Sequence, residues 1–270
     1  MPIVIDSEIL VFTKDQFHTL AERVIGIVFG IHNDFGRLMN EDIYKQILRR
    51  RCEAAGIEPV RREVEITVSY QDFQKSFYMD LLLAHGLMVE TKTVEQLTSA
   101  HEAQALHYLL LSGMRHGLLM NLRPGKVEKR FVSTSLDLAE RRRVRVQDAE
   151  WNPVNEPSRR MREILVELLN DWGAFLQTSL YRDALVHFLG GKDVVLKNIT
   201  IYDNGQIVGT HEVLLVAEDT LLAMTSLKDG KDSMSSHLLR FLDHTKLETI
   251  QWINLHNHEI ELRTIRKTVG

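Results

Sequence analysis

The chain of 270 residues has one cysteine, Cys52, and no long apolar run. One thiol cannot build an intrachain disulfide framework or a cysteine-based zinc cluster, and this pattern indicates a reducing, cytoplasmic setting. No stretch approaches the ~20 apolar residues that span a bilayer, and the first residues lack the features of a secretory signal, so no membrane association is expected. Basic charge is not in excess either, because 33 Lys and Arg face 37 Asp and Glu, a net charge of −4. This balance argues against a uniformly basic surface that binds nucleic acid non-specifically, but it permits a local cluster of basic residues.

Several signatures of catalysis are also missing from the sequence. There is no Gly-rich phosphate loop, no Gly-x-Ser-x-Gly elbow and no His-Glu-x-x-His helix. His256 and His258 lack an evident third metal ligand, and we expect them on a solvated turn. With 44% hydrophobic and 26% charged residues, the composition is that of a globular protein in which each half can bury a core.

The first half alternates helix and strand patterns. Apolar residues spaced by three and four predict helices, and period-two alternation or short apolar runs predict strands. The predicted elements are helices at 15–36, 40–55 and 99–112 and strands at 63–69, 77–84, 87–93 and 117–122. This order predicts an α/β fold with an αβββαβ core.

A charged, proline-bearing stretch with little apolar periodicity covers residues 137–162. We predict a linker there, between a first domain of residues 1–136 and a second domain of residues 163–270.

The second domain repeats the pattern of the first. Low-identity matches keep the same order at nearly constant offsets, which predicts an internal duplication and a single-chain pseudo-dimer. Two α/β halves with a generic apolar pattern are the alternative. The matches include Gly36 with Gly173 and Tyr44 with Tyr181, 137 residues apart, and Tyr108 with Phe241 and Asn121 with Asn254, 133 residues apart.

Charged residues interrupt two of the apolar strands in the first half. Asp80 lies in one strand, and Glu90 and Lys92 lie in the next. Alternate strand residues share a face, so Glu90 and Lys92 point together and Thr91 points away. If the strands pair as a hairpin, Asp80 approaches Glu90. The two carboxylates and the Thr91 carbonyl would then suit Mg²⁺ or Mn²⁺, and Lys92 could position an attacking water. A surface salt bridge between Glu90 and Lys92 is the alternative.

The helix after these strands carries His101, Gln104 and Tyr108 on one face. Gln104 and Tyr108 could form hydrogen bonds with a metal-bound water, with Lys92 or with a substrate phosphate. Alternatively, Gln104 is a solvated helix residue and Tyr108 is an aromatic residue of the core. Arginine runs around Arg50 and Arg61 could contact a nucleic-acid backbone or form solvated faces.

In this order, Asp80, Glu90-Thr91-Lys92 and Gln104-x-x-x-Tyr108 resemble the PD-(D/E)xK nuclease superfamily, particularly its RecB-like branch. Residues 20–132 also resemble the GxxExxY family of small bacterial proteins. That likeness rests on Ile31-His-Asn-x-x-Gly36, Glu41-x-x-Tyr44, Asp80-Leu-Leu, Glu90-x-Lys92 and His101-Glu-Ala-Gln104-x-x-x-Tyr108. Leu38 stands where the family has its naming glycine. The resemblance implies a restriction-endonuclease-like fold and a Mg²⁺- or Mn²⁺-dependent nuclease acting on DNA or RNA.

Together, the residues and the resemblance assign a candidate site. Glu41 matches a glutamate that often joins the metal shell in the superfamily; a carboxylate favoured by the helix dipole is its alternative. Tyr44 could line the site or anchor its helix. The candidate catalytic residues are Asp80, Glu90, Lys92, Gln104 and Tyr108; the metal ligands are Asp80, Glu90, Thr91 and Glu41; the substrate-binding residues are Arg49, Arg50, Arg61, His101 and Tyr44.

The second half keeps the apolar frame but replaces these residues. We therefore expect a degenerate copy that serves as a built-in partner or a substrate platform. The alternative for the whole chain is a non-catalytic module that binds nucleic acid or a partner protein on a nuclease-like frame. Alignment on the flanking matches gives Thr178, Glu212, Met224, Ser226, His237 and Phe241 for Glu41, Asp80, Glu90, Lys92, Gln104 and Tyr108.

Overall fold

The structure, a computed structural model, describes residues 2–267, and its strands form two separate six-stranded sheets. The chain divides accordingly into two units, Met1–Leu138 and Ala139–Gly270. Both sheets are mixed and carry helices, which confirms the predicted α/β class. Within residues 2–267, none of the helices has the length and apolar character needed to cross a membrane.

The first unit contains the predicted αβββαβ core together with an extra strand at each end and a second helix. Its elements are β1 (Ile3–Ile5), α1 (Lys14–Phe35), α2 (Glu41–Ala54), β2 (Val60–Tyr70), β3 (Phe73–Leu83), β4 (Leu87–Lys92), α3 (Ser99–Ser112), β5 (His116–Asn121) and β6 (Glu128–Ser133). The strands follow their sequence order across the sheet; β4 and β5 are parallel, and the other neighbours are antiparallel.

The two N-terminal helices pack on the sheet because their apolar stripes face it. Thr13 and Gln16 form a reciprocal capping box at the start of α1, and the Asn40 side chain caps α2 by accepting a 3.0 Å hydrogen bond from the Ile43 amide. The stripes of both helices share one core with Leu81 and residues of β4 and β5. This packing fixes α2 over the centre of the sheet.

The hairpin of β3 and β4 pairs only near its turn. The paired residues run from Leu83 opposite Leu87, next to the turn, to Leu81 opposite Val89. Strand β4 nevertheless continues to pair with β5 as far as Lys92. The end of β4 is therefore held by β5 while β3 diverges from it. The result is a splayed pair of strands at the centre of the sheet.

The second unit has the elements α4 (Leu138–Arg141), β7 (Arg145–Glu150), α5 (Glu156–Trp172), α6 (Thr178–Phe188), α7 (Lys192–Val195), β8 (Leu196–Asp203), β9 (Gln206–Ala217), β10 (Thr220–Thr225), α8 (Lys231–Asp243), β11 (Thr249–His256) and β12 (Glu259–Arg266). The sheet order is β7-β12-β11-β10-β9-β8. Strands β10 and β11 are parallel, as are β12 and β7.

The two units share one topology over most of their length. In each, two helices precede three antiparallel strands, a crossover helix and two further strands, and the parallel central pair occupies the same place. They differ in their first strand, because β1 pairs with β2 whereas β7 pairs with the opposite edge strand, β12.

Matching hydrogen bonds accompany this shared topology. The Tyr44 hydroxyl donates to the Gly36 carbonyl at 2.6 Å, and the Tyr181 hydroxyl donates to the Gly173 carbonyl at 2.5 Å. Both glycines follow a helix with positive φ, 69° and 75°, which a side chain would strain. The same local device therefore ends the first helix of both units.

A second device recurs after the parallel strands. The Asn121 side chain bonds both the amide and the carbonyl of Val94, at 3.1 and 2.8 Å. The Asn254 side chain bonds Leu227 in the same way, at 2.7 and 2.9 Å. Each buried asparagine thus fixes the chain that leaves the central strand of its unit.

Residues 137–162 are not the predicted linker. They contain α4, β7 and the start of α5, and Arg141 is only 1% exposed. Their low apolar periodicity has a physical cause, since β7 is an edge strand with little buried surface. Pro157 lies in the first turn of α5, where proline is tolerated.

Strand pairing also corrects part of the alignment between the units. Lys92 pairs with Asn121 in the first unit, and Thr225 pairs with Asn254 in the second. The residue matched to Lys92 is therefore Thr225 instead of Ser226, and the residue matched to Glu90 is Ala223 instead of Met224. The same comparison applies to Asp80. Leu82 pairs with Met88 in the first unit as Leu215 pairs with Leu221 in the second, so the residue matched to Asp80 is Val213. Val213 is buried, whereas Glu212, the residue matched from the sequence, is exposed.

Candidate active site

The splayed strands β3 and β4 bring Asp80 and Glu90 together. The Asp80 amide donates a 3.0 Å hydrogen bond to Glu90 Oε1 just beyond the last paired residues of the hairpin. Both residues are buried, with 7% and 1% of their surface exposed. The predicted approach of Asp80 to Glu90 is therefore present in the fold.

The Asp80 carboxylate is held by three donors. Its Oδ2 accepts hydrogen bonds from the Thr91 amide at 2.8 Å and the Thr91 hydroxyl at 3.1 Å. Its Oδ1 accepts from Lys45 Nζ at 3.2 Å. The strand pattern did not predict these two hydrogen bonds from Thr91, which form where β3 and β4 are no longer paired.

The Glu90 carboxylate is the most strongly perturbed group of the site. Burial and then the nearby Asp80 charge raise its pKa to about 8, against the lowering effect of Lys92. Glu90 Oε2 is buried and has no hydrogen-bond partner among residues 2–267; Lys92 Nζ lies 3.6 Å from it. A buried carboxylate oxygen without a donor is costly unless a cation or a proton satisfies it.

Glu41 faces the same group of charges from the first turn of α2. Burial raises its pKa, with further contributions from the Asp80 and Glu63 charges, while Lys92 and Lys45 lower it. Glu41 is therefore within electrostatic range of these charges, and its part in a metal site stays a prediction.

Gln104 and Tyr108 are joined on α3. Gln104 Nε2 donates to the Tyr108 hydroxyl at 2.9 Å. Burial, with smaller contributions from the negative charges of Glu90 and Asp80, raises the pKa of Tyr108 to about 12, against the lowering effect of the hydrogen bond with Gln104. Tyr108 therefore stays protonated at neutral pH and can donate a hydrogen bond beside the carboxylates.

Two residues that sequence reasoning missed complete the site. Lys45, on α2, is buried and donates to Glu63 Oε1 at 2.5 Å as well as to Asp80. Glu63 lies on β2 with a φ of 49°, an uncommon conformation for a residue other than glycine. The sequence signal was available, because Lys45 is one turn beyond Glu41 and interrupts the buried stripe of α2.

Four of the five candidate substrate-binding residues, all except Arg50, contact other residues of the first unit. Tyr44 is 1% exposed and its hydroxyl donates to the Gly36 carbonyl, which favours the anchor alternative over contact with a substrate. His101 Nδ1 accepts a 3.0 Å hydrogen bond from the Thr98 amide and so caps α3. Arg49 and Arg61 form surface ion pairs with Glu53 and Asp6 at 2.8 and 2.9 Å, and Arg50 is exposed on α2.

The donor set fits a hard divalent cation in its chemistry. Within residues 2–267, no three acidic, histidine or cysteine side chains are already arranged as a metal-ligand cluster. The unsatisfied Glu90 Oε2 and the adjacent Asp80 carboxylate are nevertheless the oxygen ligands that Mg²⁺ and Mn²⁺ prefer. The second unit offers no equivalent, since Val213, Ala223 and Thr225 occupy the matched positions.

Comparison with known protein families finds a match, which covers the part of the chain that carries these residues. Residues 18–132, less than half of the chain, match the family model of the PD-(D/E)XK nuclease superfamily. A solved structure described as the crystal structure of SSO0001 matches with 18% identity and a TM-score of 0.30, covering 46% of this chain and 63% of that one. The chain thus spans less than two thirds of the length of that structure. No curated protein matches the chain.

Proposed function

We propose that the first unit is a metal-dependent nuclease that hydrolyses phosphodiester bonds in nucleic acid. The observation that carries the proposal is Glu90, a fully buried carboxylate with an unsatisfied oxygen beside Asp80 and Lys92. The superfamily match covers this region of the chain. A buried acid with a strongly raised pKa next to a second acid and a lysine is typical of a functional site.

Asp80 and Glu90 would hold Mg²⁺ or Mn²⁺, with Glu41 and the Thr91 carbonyl as additional oxygen donors. The ion, when bound, would act as a Lewis acid on the phosphate. Lys92 is placed to orient the attacking water and to offset negative charge on the substrate. Tyr108, kept protonated and oriented by Gln104, is placed to donate a hydrogen bond to the same water or to a phosphate oxygen.

We also propose that the first unit is a GxxExxY-type domain and that the second unit is its degenerate duplicate. The shared strand order and the two recurring hydrogen-bond devices support the duplication. Since the second unit lacks the carboxylates and the lysine, its role in this proposal is a substrate platform or a built-in partner.

Cleavage assays test the proposed activity. Single- and double-stranded DNA and RNA are incubated with the full chain and Mg²⁺, Mn²⁺ or EDTA, beside Lys92→Ala. The exposed Lys228 of the second unit supplies a matched control, Lys228→Ala. We expect cutting that EDTA and Lys92→Ala abolish and that Lys228→Ala leaves intact. Metal-independent cutting, or full activity in a folded Lys92→Ala variant, would contradict the proposal.

A non-catalytic module that binds nucleic acid or a partner protein is the second candidate. One observation favours it, namely that both Asp80 oxygens already accept hydrogen bonds from Lys45 and Thr91. It predicts binding that is indifferent to Mg²⁺ and to Lys92→Ala, together with an absence of cutting on every substrate.

A further inference from the structure

The Lys45 ammonium occupies the one Asp80 oxygen that Thr91 leaves open. Thr91 binds Oδ2 through its amide and its hydroxyl, and Lys45 lies 3.2 Å from Oδ1. A ligand that used Oδ1 would have to share it with this ammonium or displace it. Lys45 therefore sits where a cation at Asp80 would need a free lone pair.

The charges around Lys45 do not balance. In the described part of the chain, four carboxyl groups, those of Glu41, Glu63, Asp80 and Glu90, surround two ammonium groups, Lys45 and Lys92. When all four are ionised, as they would be once a divalent cation replaced the proton that the raised pKa of Glu90 favours, the group has two excess negative charges, which equal the charge of one such ion. If Lys45 kept its contact with Asp80 when such an ion bound, two cationic centres would compete for one carboxylate at close range.

Glu63 gives the ammonium another partner. Its Oε1 lies 2.5 Å from Lys45 Nζ, closer than the Asp80 oxygen. Its backbone is held at a φ of 49°, a conformation that costs energy in a residue with a side chain. The Glu63 carboxylate lies beside Lys45 although its side chain is 46% exposed, and the ammonium can move from Asp80 while keeping this one ion pair.

We propose that Lys45 is an internal counter-cation that occupies Asp80 Oδ1 in the metal-free site and shifts to Glu63 alone when a divalent cation binds Asp80 and Glu90. This inference rests on the proposed metal site. It makes Lys45 a positioning residue that weakens metal binding and keeps the metal-free carboxylates compatible with a folded core. A purely structural ion pair would have the opposite signature, because its removal would disorder Asp80 and weaken metal binding.

Mn²⁺ titration by calorimetry tests the inference on the full chain. The variants are Lys45→Met, which removes the charge, and Lys45→Arg, which keeps it. Arg182→Met is the matched control, since Arg182 lies 137 residues after Lys45 on α6 and its side chain is 49% exposed. We expect Lys45→Met to bind Mn²⁺ about tenfold more tightly than the original chain, because a unit positive charge at contact distance is removed. Lys45→Arg and Arg182→Met should stay within about twofold.

A second variant keeps the test decisive if Lys45→Met folds poorly. Glu63→Gln removes the alternative partner, so Mn²⁺ should bind more weakly than to the original chain. An unchanged or tighter affinity in Glu63→Gln would by itself overturn the role of Lys45. Where Lys45→Met folds, a double-mutant cycle should also show a smaller loss in the Lys45→Met background. Equal losses in both backgrounds, or an unchanged or weaker affinity in folded Lys45→Met, would overturn the role of Lys45.

The outcomes separate this inference from the proposed function. If the original chain binds Mn²⁺ and Glu90→Gln abolishes that binding, the metal site stands whatever Lys45→Met does. If only Lys45→Met binds Mn²⁺, the counter-cation role is supported in its strongest form. If neither protein binds Mn²⁺ at millimolar concentration, both the metal site and the role of Lys45 are wrong.

Discussion

The two units of this chain have the same frame and different interiors at matched positions. Each frame carries a tyrosine bonded to a glycine carbonyl and an asparagine that fixes the exit from the central strand. In the first unit the frame surrounds buried carboxylates and a buried lysine. In the second unit, valine, alanine and threonine take the places of Asp80, Glu90 and Lys92.

This difference separates what the fold requires from what chemistry requires. Burying charges costs free energy unless they are paired or bind a cation. Because the second unit adopts the same order of its last five strands without them, the charges of the first unit are not needed to specify that order. Their presence in a core is better explained by function, and substitutions that exchange residues between the units test this explanation.

Glu90→Ala gives the first unit the residue that the second unit has at this position, Ala223. We expect nucleic-acid cleavage to fall by about a thousandfold or more, since a group that stabilises charge in a water-excluded site is lost. Initial cleavage rates with Mn²⁺ measure the effect. Glu212→Ala, which removes an exposed carboxylate of the second unit, is the control and should leave the rate unchanged. A folded Glu90→Ala variant with full activity would remove the basis for distinguishing the units.

The pH dependence of stability should also differ between the units. Glu90 has its pKa raised from 4.5 to about 8 in the folded, metal-free chain, so the folded state binds more protons than the unfolded state between these values. Its stabilising contribution is complete below pH 4.5 and is lost as the pH rises to 8, and Glu41 acts in the same direction. We expect a loss of roughly 3 to 4 kcal/mol from Glu90 over this window.

Urea unfolding in EDTA at pH 5.5 and pH 8 measures this loss. Glu90→Gln should remove most of the pH dependence of the first unit, because the amide does not titrate. The second unit, with Ala223 at the matched position, provides an internal reference if its transition is followed separately. Equal pH slopes for the original chain and Glu90→Gln would show that the buried carboxylate is ionised in both states.

Tyr44→Phe and Tyr181→Phe test the part of the frame that the units share. Each variant deletes one hydroxyl that donates to a glycine carbonyl, at 2.6 and 2.5 Å. We expect each to lower the free energy of unfolding of its own unit by about 1 kcal/mol, measured by urea denaturation. Cleavage by Tyr44→Phe should remain near the original rate, since Tyr44 is an anchor. A large loss of activity in a stable Tyr44→Phe variant would return this residue to the active site.

Periodicity predicted most of the first unit because its elements bury one face each. Helix α3 was predicted with the bounds that it has, and the hairpin at His85-Gly86 was placed by its apolar strands. Two elements were missed for a physical reason. The strands β1 and β6 lie at the sheet edges and carry many exposed residues, so the alternation that marks a half-buried strand is weak in them.

Sequence spacing likewise predicted some residues of the candidate site, whereas others could be found only from the packing of the folded chain. Period-two alternation paired Glu90 with Lys92, and the hairpin placed Asp80 near them. Spacing could not indicate that β3 is unpaired with β4 on the N-terminal side of Leu81, where Thr91 donates a hydrogen bond to the Asp80 carboxylate. Lys45 was missed because a lysine within an apolar stripe usually lies at the edge of the buried face of its helix. Its two acidic partners also lie far from it in sequence, on strands β2 and β3.

The smallest expected effect concerns the exposed arginines. Arg50 on α2 and Arg160 on α5 are both exposed, and the first lies on the unit that carries the candidate site. One exposed cation adds a single contact with a phosphate backbone, which salt screens. We therefore expect Arg50→Ala to weaken nucleic-acid binding about two- to threefold at low salt and less at physiological salt, as measured by fluorescence anisotropy in EDTA. Arg160→Ala should have no effect if the substrate contacts the first unit alone. An equal loss in both variants would instead assign the second unit a direct part in holding the substrate.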